Sequence, residues 1–372
     1  MKIFESPILG IYNRALSNEP WSPPGVSLLA ARKMWTTTRG EGTVVAVLDT
    51  GIDDRHPDLK NQVIGGTSFI DTEKDYIDRH GHGTHVAGTI AANGRLLGVA
   101  PDARLLAVKV LNRQGSGSFT SIIRGLEWAR KWRGPQGEKV QVINMSLGGP
   151  TSKICLRREI IKAVKAGITI VCAAGNSGDG KSTTREISYP AYYPETLAVG
   201  AVDMQSGAAN FSNSNNHIDL VAPGVETYST YPENRYVKLS GTSMAAPHIS
   251  GVAALIVARY VKRFGTQPTS DRVRELLQYL CIDLGDAGYD ELYGYGLFSF
   301  NLDGGKDIRL VVGSNQYSMN GKFNTLTNAP KRCGDSICAS VPELSPIIGF
   351  DCSVIPPDGT KENPSGQLEI WS

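Results

Sequence analysis

Five short stretches of nearly unbroken apolar residues constrain this chain more than any other feature. They are Thr43–Leu48 (TVVAVL), Leu105–Leu111, Val140–Asn144, Ile168–Ala173 and Leu197–Val202. A strand with one wet face alternates polar and apolar residues, whereas a strand covered on both faces does not. Between the runs lie segments with helical spacing, Gly83–Ala92, Thr120–Trp132 and Glu159–Ala166. Strand–helix alternation of this kind predicts an α/β fold with a doubly wound, mostly parallel sheet and helices on both faces. A long apolar helix over about 243–264 follows, then one over 271–280 for which Ser270 is the expected N-cap. In such sheets the functional site lies beyond the carboxyl ends of the strands.

Composition narrows the function classes. Lys plus Arg number 38 and Asp plus Glu 36, a formal net charge of +2, so neither nucleic-acid nor membrane-surface binding is expected. With 41% apolar and 20% charged residues the chain builds its own core. The 41 glycines follow no collagen period and point to tight turns and close backbone approaches. The most apolar run, Gly251–Ala258, stops at Arg259, so no membrane span is expected. Ile8–Tyr12 is short, follows Glu5 and Pro7, and lacks a cleavage pattern. No signal peptide is read, and a cytoplasmic location is expected. The six cysteines (155, 172, 281, 333, 338, 352) form no zinc pattern. Cys172 reads as a small core residue. Three segments emerge: an N-terminal extension, 1–25; a central α/β domain, 26–303; and a small β-rich domain, 304–372, opening after Asp303-Gly304-Gly305.

Three stretches carry chemistry. In Val47-Leu48-Asp49-Thr50-Gly51 a carboxylate directly follows a buried strand, which is costly unless it is paired. Asp49 could be a turn or cap residue, and D-T-G is also an aspartic-protease signature, but no second such triplet supplies the partner carboxylate. In His80-Gly81-His82-Gly83-Thr84-His85 three imidazoles cluster without the i, i+4 spacing or the carboxylate of a zinc helix. His82 falls at a helix N-terminus, which disfavours the cation and suits a neutral base; His85 reads as structural. In Gly241-Thr242-Ser243-Met244-Ala245-Ala246-Pro247-His248, Ser243 is either a plain N-cap or a nucleophile aided by the helix dipole. Pro247, near the start of the helix, is expected to cost little, since first-turn N–H groups have no intrahelical partner. Together these stretches supply carboxylate, imidazole and hydroxyl in the chain order Asp, His, Ser.

Over residues 26–302 the sequence resembles the subtilisin-like serine proteases. The resemblance implies Asp49, His82 and Ser243 as the triad. It implies Asn176, in Ala173-Ala174-Gly175-Asn176-Ser177, as side-chain oxyanion donor beside the Ser243 N–H; read alone, that Asn is a turn residue. It implies that an extended peptide pairs between Gly115, Ser116 and Gly117 on one side and Ser146, Leu147, Gly148 and Gly149 on the other. Ser188 with Ala173, Ala174 and Gly175 would line the first pocket, and Phe119, Ile122 and Leu147 the fourth, although Ile122 also suits helix packing. Broad specificity with apolar preferences follows. A catalytically silent binding protein on the same scaffold is the alternative.

The segment from Pro24 to Trp35, Asn61–Gly66 and Val171–Asn176 look like the intracellular subtilisins. In that branch a short extension blocks the active site until it is cleaved, so the extension here is expected to be the enzyme's own inhibitor and polypeptides its substrates. Leu9-Gly10-Ile11-Tyr12 sits where the branch has Leu-Ile-Pro-Tyr, without the Pro. The family's tight calcium site is expected to be lost: Asn93-Gly94-Arg95-Leu96 is a shorter loop with no carboxylate, although Asp58 survives. A weaker calcium or other cation site is implied at Asp219 with the carbonyls of Ala191, Tyr193 and Thr196. No redox cofactor is expected. Residues 306–365 resemble the small stalk domain named after the N-terminus of copper amine oxidases, with paired strands at Ile308–Gly313, Gln316–Asn320 and Gly321–Thr327 and a hairpin turn at Asn320-Gly321. That module often accompanies extracytoplasmic proteins.

Overall fold

The computed structural model describes residues 1–3, 10–12 and 19–301, together with six short strands between 308 and 370. Chain contacts divide it into two units, Met1–Ser299 and Phe300–Ser372. The strands of the first unit are β1 (Gly10–Tyr12), β2 (Val44–Asp49), β3 (Val63–Ser68), β4 (Arg104–Lys109), β5 (Val140–Met145), β6 (Thr169–Ala173), β7 (Leu197–Val202), β8 (Leu220–Pro223), β9 (Thr227–Tyr231), β10 (Arg235–Leu239), β11 (Cys281–Ile282) and β12 (Leu297–Phe298). Its helices are α1 (Pro24–Leu28), α2 (Ala31–Met34), α3 (His82–Ala91), α4 (Phe119–Lys131), α5 (Ile154–Lys165), α6 (Thr242–Phe264) and α7 (Ser270–Tyr279).

Nine strands form one sheet in the order β11-β12-β8-β7-β6-β5-β2-β4-β3. Every pair is parallel except β11–β12. From β2 the chain winds to one side through β3 and β4, then crosses to β5 on the other. The switch point therefore lies between the carboxyl ends of β2 and β5, where a doubly wound sheet places its crevice. Alternation along β2 decides which residue faces which layer. Val44, Ala46 and Leu48 join a buried cluster with Ile122, Leu126 and Ile160 of α4 and α5. Asp49, one step on, turns to the opposite face and meets α3.

The helix α6 lies against β5, β6, β7 and β8 and packs on α3. By length and composition it is apolar enough to cross a membrane, which the sequence reading did not find, but 83% of its apolar window is buried inside the fold. Its N-cap is Gly241, and Ser243 is its second residue rather than its cap. Pro247 stands beyond the first turn, which corrects the sequence reading. Its missing N–H would have bonded the Ser243 carbonyl. Ser146 Oγ donates to that carbonyl instead, at 2.9 Å. Asn144 Nδ2 holds Ser146 Oγ at 3.0 Å, and Ser250 Oγ donates to Asn144 Oδ1 at 2.8 Å. At α7 the cap is Thr269, whose side chain accepts from Arg272 N, and not Ser270.

In the second unit Ile308–Val311 pairs antiparallel with Gln316–Met319 and with Gln367–Ile370, and Gln316–Met319 with Lys322–Thr325. Met319 stands opposite Lys322; the hairpin turn predicted at Asn320-Gly321 lies outside the described residues. Lys331–Cys333 and Ser336–Cys338 form a separate pair. The remainder of the predicted C-terminal module lies outside the described residues.

Candidate active site

Asp49 is fully buried at the end of β2. His82 opens α3, and its Nδ1 lies 2.8 Å from Asp49 Oδ1 and 3.0 Å from Oδ2. Thr50 N donates to the same Oδ1 at 2.7 Å. Gly83 makes this approach possible, because a Cβ there would stand 2.1 Å from the Gly51 carbonyl oxygen. Two donors on the carboxylate fix the imidazole's plane and place a proton on Nδ1. The other nitrogen, Nε2, is buried without a hydrogen-bond partner. It is an acceptor held out of water.

Ser243 is fully buried, and its Oγ donates to Ser146 O at 3.2 Å. Asn176 follows β6. Its Oδ1 accepts from Thr242 N at 2.9 Å and from Thr242 Oγ1 at 2.8 Å. Thr242 Oγ1 also accepts from Gly175 N at 3.1 Å. With the oxygen so committed, Nδ2 is the part of the Asn176 amide left to donate outward. Thr242 was not singled out in the sequence, although G-T-S placed a hydroxyl immediately before the candidate nucleophile.

The two predicted edge segments hold the chain's own N-terminus between them. Lys2 N donates to Gly148 O at 3.2 Å, and Gly148 N returns a bond to Lys2 O at 3.0 Å. Ile3 N donates to Gly115 O at 3.0 Å, and Gly117 N to Met1 O at 2.9 Å. Lys2 thereby bridges antiparallel to both Ser116 and Gly148. Ile3 is buried in the same cluster as Ile122 and Leu147, against which Met1 and Phe119 pack. Gly149 is tied to Tyr189 by a bond in each direction. Ser188 is buried with Oγ unpartnered. The carbonyl of Ala174 is taken by Asn213 Nδ2 at 3.0 Å, and its N–H by Val199 O. Ala173 closes β6 beneath them.

At the predicted weak cation site the protein's own donors approach the expected ligands. Thr196 Oγ1 donates within reach of the carbonyls of Ala191 (3.3 Å) and Tyr193 (2.9 Å). Arg274 donates to Thr196 O and to Asp219 Oδ1, at 2.7 and 3.0 Å. Asp219 and the Thr196 carbonyl are thus bound by a fixed positive charge, while the one Thr196 hydroxyl hydrogen is shared among the carbonyls of Pro190, Ala191 and Tyr193; with a guanidinium on its only carboxylate, the set does not fit a metal ion.

Two buried groups behind the site gave no motif. Asp78 accepts from the N–H groups of His80, Gly81 and Thr84, all at 2.9 Å, and from the hydroxyls of Thr50 and Thr84. It shapes the turn that launches α3. Lys109, fully buried, donates to Thr50 O and lies 3.1 Å from Glu73.

His85 Nε2–H donates to Thr227 O, 3.0 Å away, and burial pushes its pKa down to about 3. Burial likewise pushes His248 down to about 4. Both are neutral in the fold, so the unfolded chain takes up protons first as pH falls below the ordinary imidazole value. Their contribution to stability is full above about pH 6.5 and is lost as pH falls toward the folded values, by roughly 3 kcal/mol each near pH 4. Urea unfolding of a Ser243→Ala chain should show this decline begin on the acid side of neutrality. A flat profile between neutrality and the carboxylate range would contradict it.

The profile of the subtilase family, peptidase S8, matches residues 40–296. An intracellular serine protease of Paenibacillus polymyxa is 50% identical over 242 residues, 63% of this chain and 72% of that protein. The major intracellular serine protease of Bacillus subtilis (strain 168) is 52% identical over 243 residues, 63% of this chain and 74% of that one. Subtilisin DY of Bacillus licheniformis is 44% identical over 281 residues, 74% and 96% of the two chains. With its sheet topology and a match over most of its length, the chain belongs to the subtilase family and is a serine endopeptidase, a hydrolase of polypeptides.

Proposed function

We propose that the peptidase works through Ser243 as nucleophile, His82 as base then acid, and Asp49 as the group that fixes the His82 tautomer. The observation that carries this reading is the buried, unpartnered Nε2 of an imidazole whose other nitrogen is held 2.8 Å from Asp49. In attack the Ser243 hydroxyl turns from Ser146 O toward Nε2, a bond such sites often complete only with substrate. Oγ bonds the scissile carbonyl carbon as its proton passes to Nε2. The carbonyl oxygen becomes an anion between Asn176 Nδ2 and the Ser243 N–H. Nε2 then protonates the leaving amine as the C–N bond breaks, and water repeats the sequence on the acyl-enzyme. Asp49 stays ionised throughout and stabilises the imidazolium.

A serine-directed fluorophosphonate tests the assignment. It should label the peptide that carries Ser243 and leave a Ser243→Ala chain unlabelled. A chain shortened at its N-terminus that takes no label would favour the silent scaffold.

The extension is read as the enzyme's own inhibitor and first substrate. Main-chain pairing on both flanks is how an extended peptide is bound, and Met1–Ile3 already makes it. Antiparallel register pairs Lys2 with Gly148, and two positions before Gly148 stands Ser146, the residue that Ser243 Oγ contacts. Cleavage is therefore expected just beyond Ile3, after Phe4. Farther on, β1 pairs antiparallel with β10, Gly10 opposite Lys238; residues 4–9 and 13–18 lie outside the described residues. Mass spectrometry of the purified chain should show loss of Met1–Phe4. Deleting residues 1–17 should raise peptidase activity roughly tenfold or more, given the millimolar effective concentration of a tethered strand and ordinary KM values. Unchanged activity would remove the inhibitory role.

Broad specificity with an apolar fourth pocket is read from the cluster that holds Ile122 and Leu147, against which Phe119 and Met1, the fourth residue back from the expected cleavage point, pack. A cytoplasmic location is inferred from the relatives named as intracellular. The paired strands between 308 and 370 support reading the C-terminal unit as a β-rich accessory module.

A further inference from the structure

We infer that this chain holds its fold without calcium: the Arg274 guanidinium takes the carboxylate and one carbonyl of the implied weak cation site, and N–H and O–H donors take the carboxylate where the family's tight site is expected to be lost. At the first, the Asp219 carboxylate is buried just ahead of β8. A buried carboxylate needs a counter-charge or a full set of donors. Arg274, on α7, places Nη1 3.0 Å from Asp219 Oδ1 and Nη2 2.9 and 2.7 Å from the carbonyls of Pro194 and Thr196. One permanently charged fork therefore gathers three oxygens from separate segments, the task a bound cation performs. Gln278, one helical turn on, adds a bond to Oδ1 at 3.0 Å, and Ala198 N takes Oδ2 at 2.8 Å. Calcium asks for six to eight oxygens at about 2.3–2.6 Å. Here the oxygens are already bonded, and a cation stands among them.

The second position is independent of the first. Asp58 is buried, and its oxygens accept from Arg95 N at 2.9 Å, Leu96 N at 3.1 Å and the Tyr236 hydroxyl at 2.8 Å. The short loop lies directly on the carboxylate: a Cβ on Gly94 would stand 2.0 Å from Asp58 Oδ1. Inward-pointing N–H groups repel a cation where the family's longer loop would offer oxygens. Among the described residues no cluster of three His, Cys, Asp or Glu side chains offers another metal site.

The test is thermal unfolding of the full-length Ser243→Ala chain, which does not digest itself, in chelator and in millimolar calcium chloride. The two Tm values should agree within about 1 °C, whereas an ion resident at a thousand times its Kd would separate them by on the order of 10 °C. A separation of that size, or calcium binding by calorimetry in the unmodified chain, overturns the proposal. Arg274→Met should lower the Tm and create a response to calcium or potassium chloride that tetramethylammonium chloride at equal ionic strength does not give. The oxygens it leaves face a cavity of about 300 Å³ lined by Thr196, Asp219 and Tyr295 among others. An Arg274→Met chain that melts like its parent, with or without the salts, also overturns it. Should that variant not fold, Arg274→Lys keeps the charge and loses the fork. It is expected to melt between parent and unfolded and to remain indifferent to chelator; a chelator-sensitive melt there counts against the proposal.

Discussion

Ser243→Ala should lower kcat by about 10⁶-fold, and Asp49→Asn by about 10⁴-fold, both in chains that still fold; these sizes are those known for such triads, this family's included, rather than consequences of a distance. The argument for Asp49 is geometric. Its carboxylate offers His82 Nδ1 an acceptor only, so Nδ1 carries the proton and Nε2 keeps a lone pair for the Ser243 hydroxyl. Asn can turn its NH₂ toward the ring, because Thr50 N already bonds Oδ1 and prefers to keep an oxygen there. Nδ1 then becomes the acceptor, Nε2 carries the hydrogen, and the base is lost without a change in shape. Steady-state hydrolysis of a chromogenic peptide, with circular dichroism to verify folding, measures both variants in the N-terminally shortened chain. Activity of Asp49→Asn within tenfold of the parent would remove Asp49 from the role assigned to it.

How much of this was legible in the sequence depends on how local the signal was. The strand β7 ends where the apolar run Leu197–Val202 ends, because all its residues are buried and both faces must be apolar. The strand β3 escaped the same reading. It is a sheet edge with Gly65-Gly66 at its centre and mostly intermediate burial, so neither periodicity nor propensity marks it. The start of α5 was missed because Ile154 is 77% exposed and Lys153 provides no side-chain cap. Asp49 and His82 were readable since each lies in a short stretch with a chemical peculiarity: a carboxylate after an apolar run, an imidazole between glycines. Arg274 was not. It is one arginine on an ordinary amphipathic helix, and its meaning comes from Asp219 and Thr196, far off in sequence and near only in the fold. Pro247 shows the same limit. Its missing N–H is plain in the sequence, but only the packing of β5 on α6 supplies the Ser146 hydroxyl that answers the buried Ser243 carbonyl.

Asn176→Leu should lower kcat about 10²–10³-fold with little change in KM, the loss seen in this family when a side-chain oxyanion donor is removed. What this structure adds is the reason the donor is aimed. Gly175 takes φ +117, and a Cβ there would stand 2.3 Å from Asn213 Nδ2, so the chain turns Asn176 back over the start of α6. Thr242 then fixes the amide oxygen with its N–H and its hydroxyl, and the amide nitrogen must point the other way. Thr242 is accordingly a positioning residue acting through Asn176. Thr242→Val should lower kcat roughly tenfold through this lost alignment, and Thr242→Ser, which keeps the hydroxyl, should restore most of it. In the Asn176→Leu background the same Thr242→Val change should cost almost nothing, because the group it positions is gone. Equal losses in both backgrounds would show that Thr242 acts on stability or on Ser243 itself.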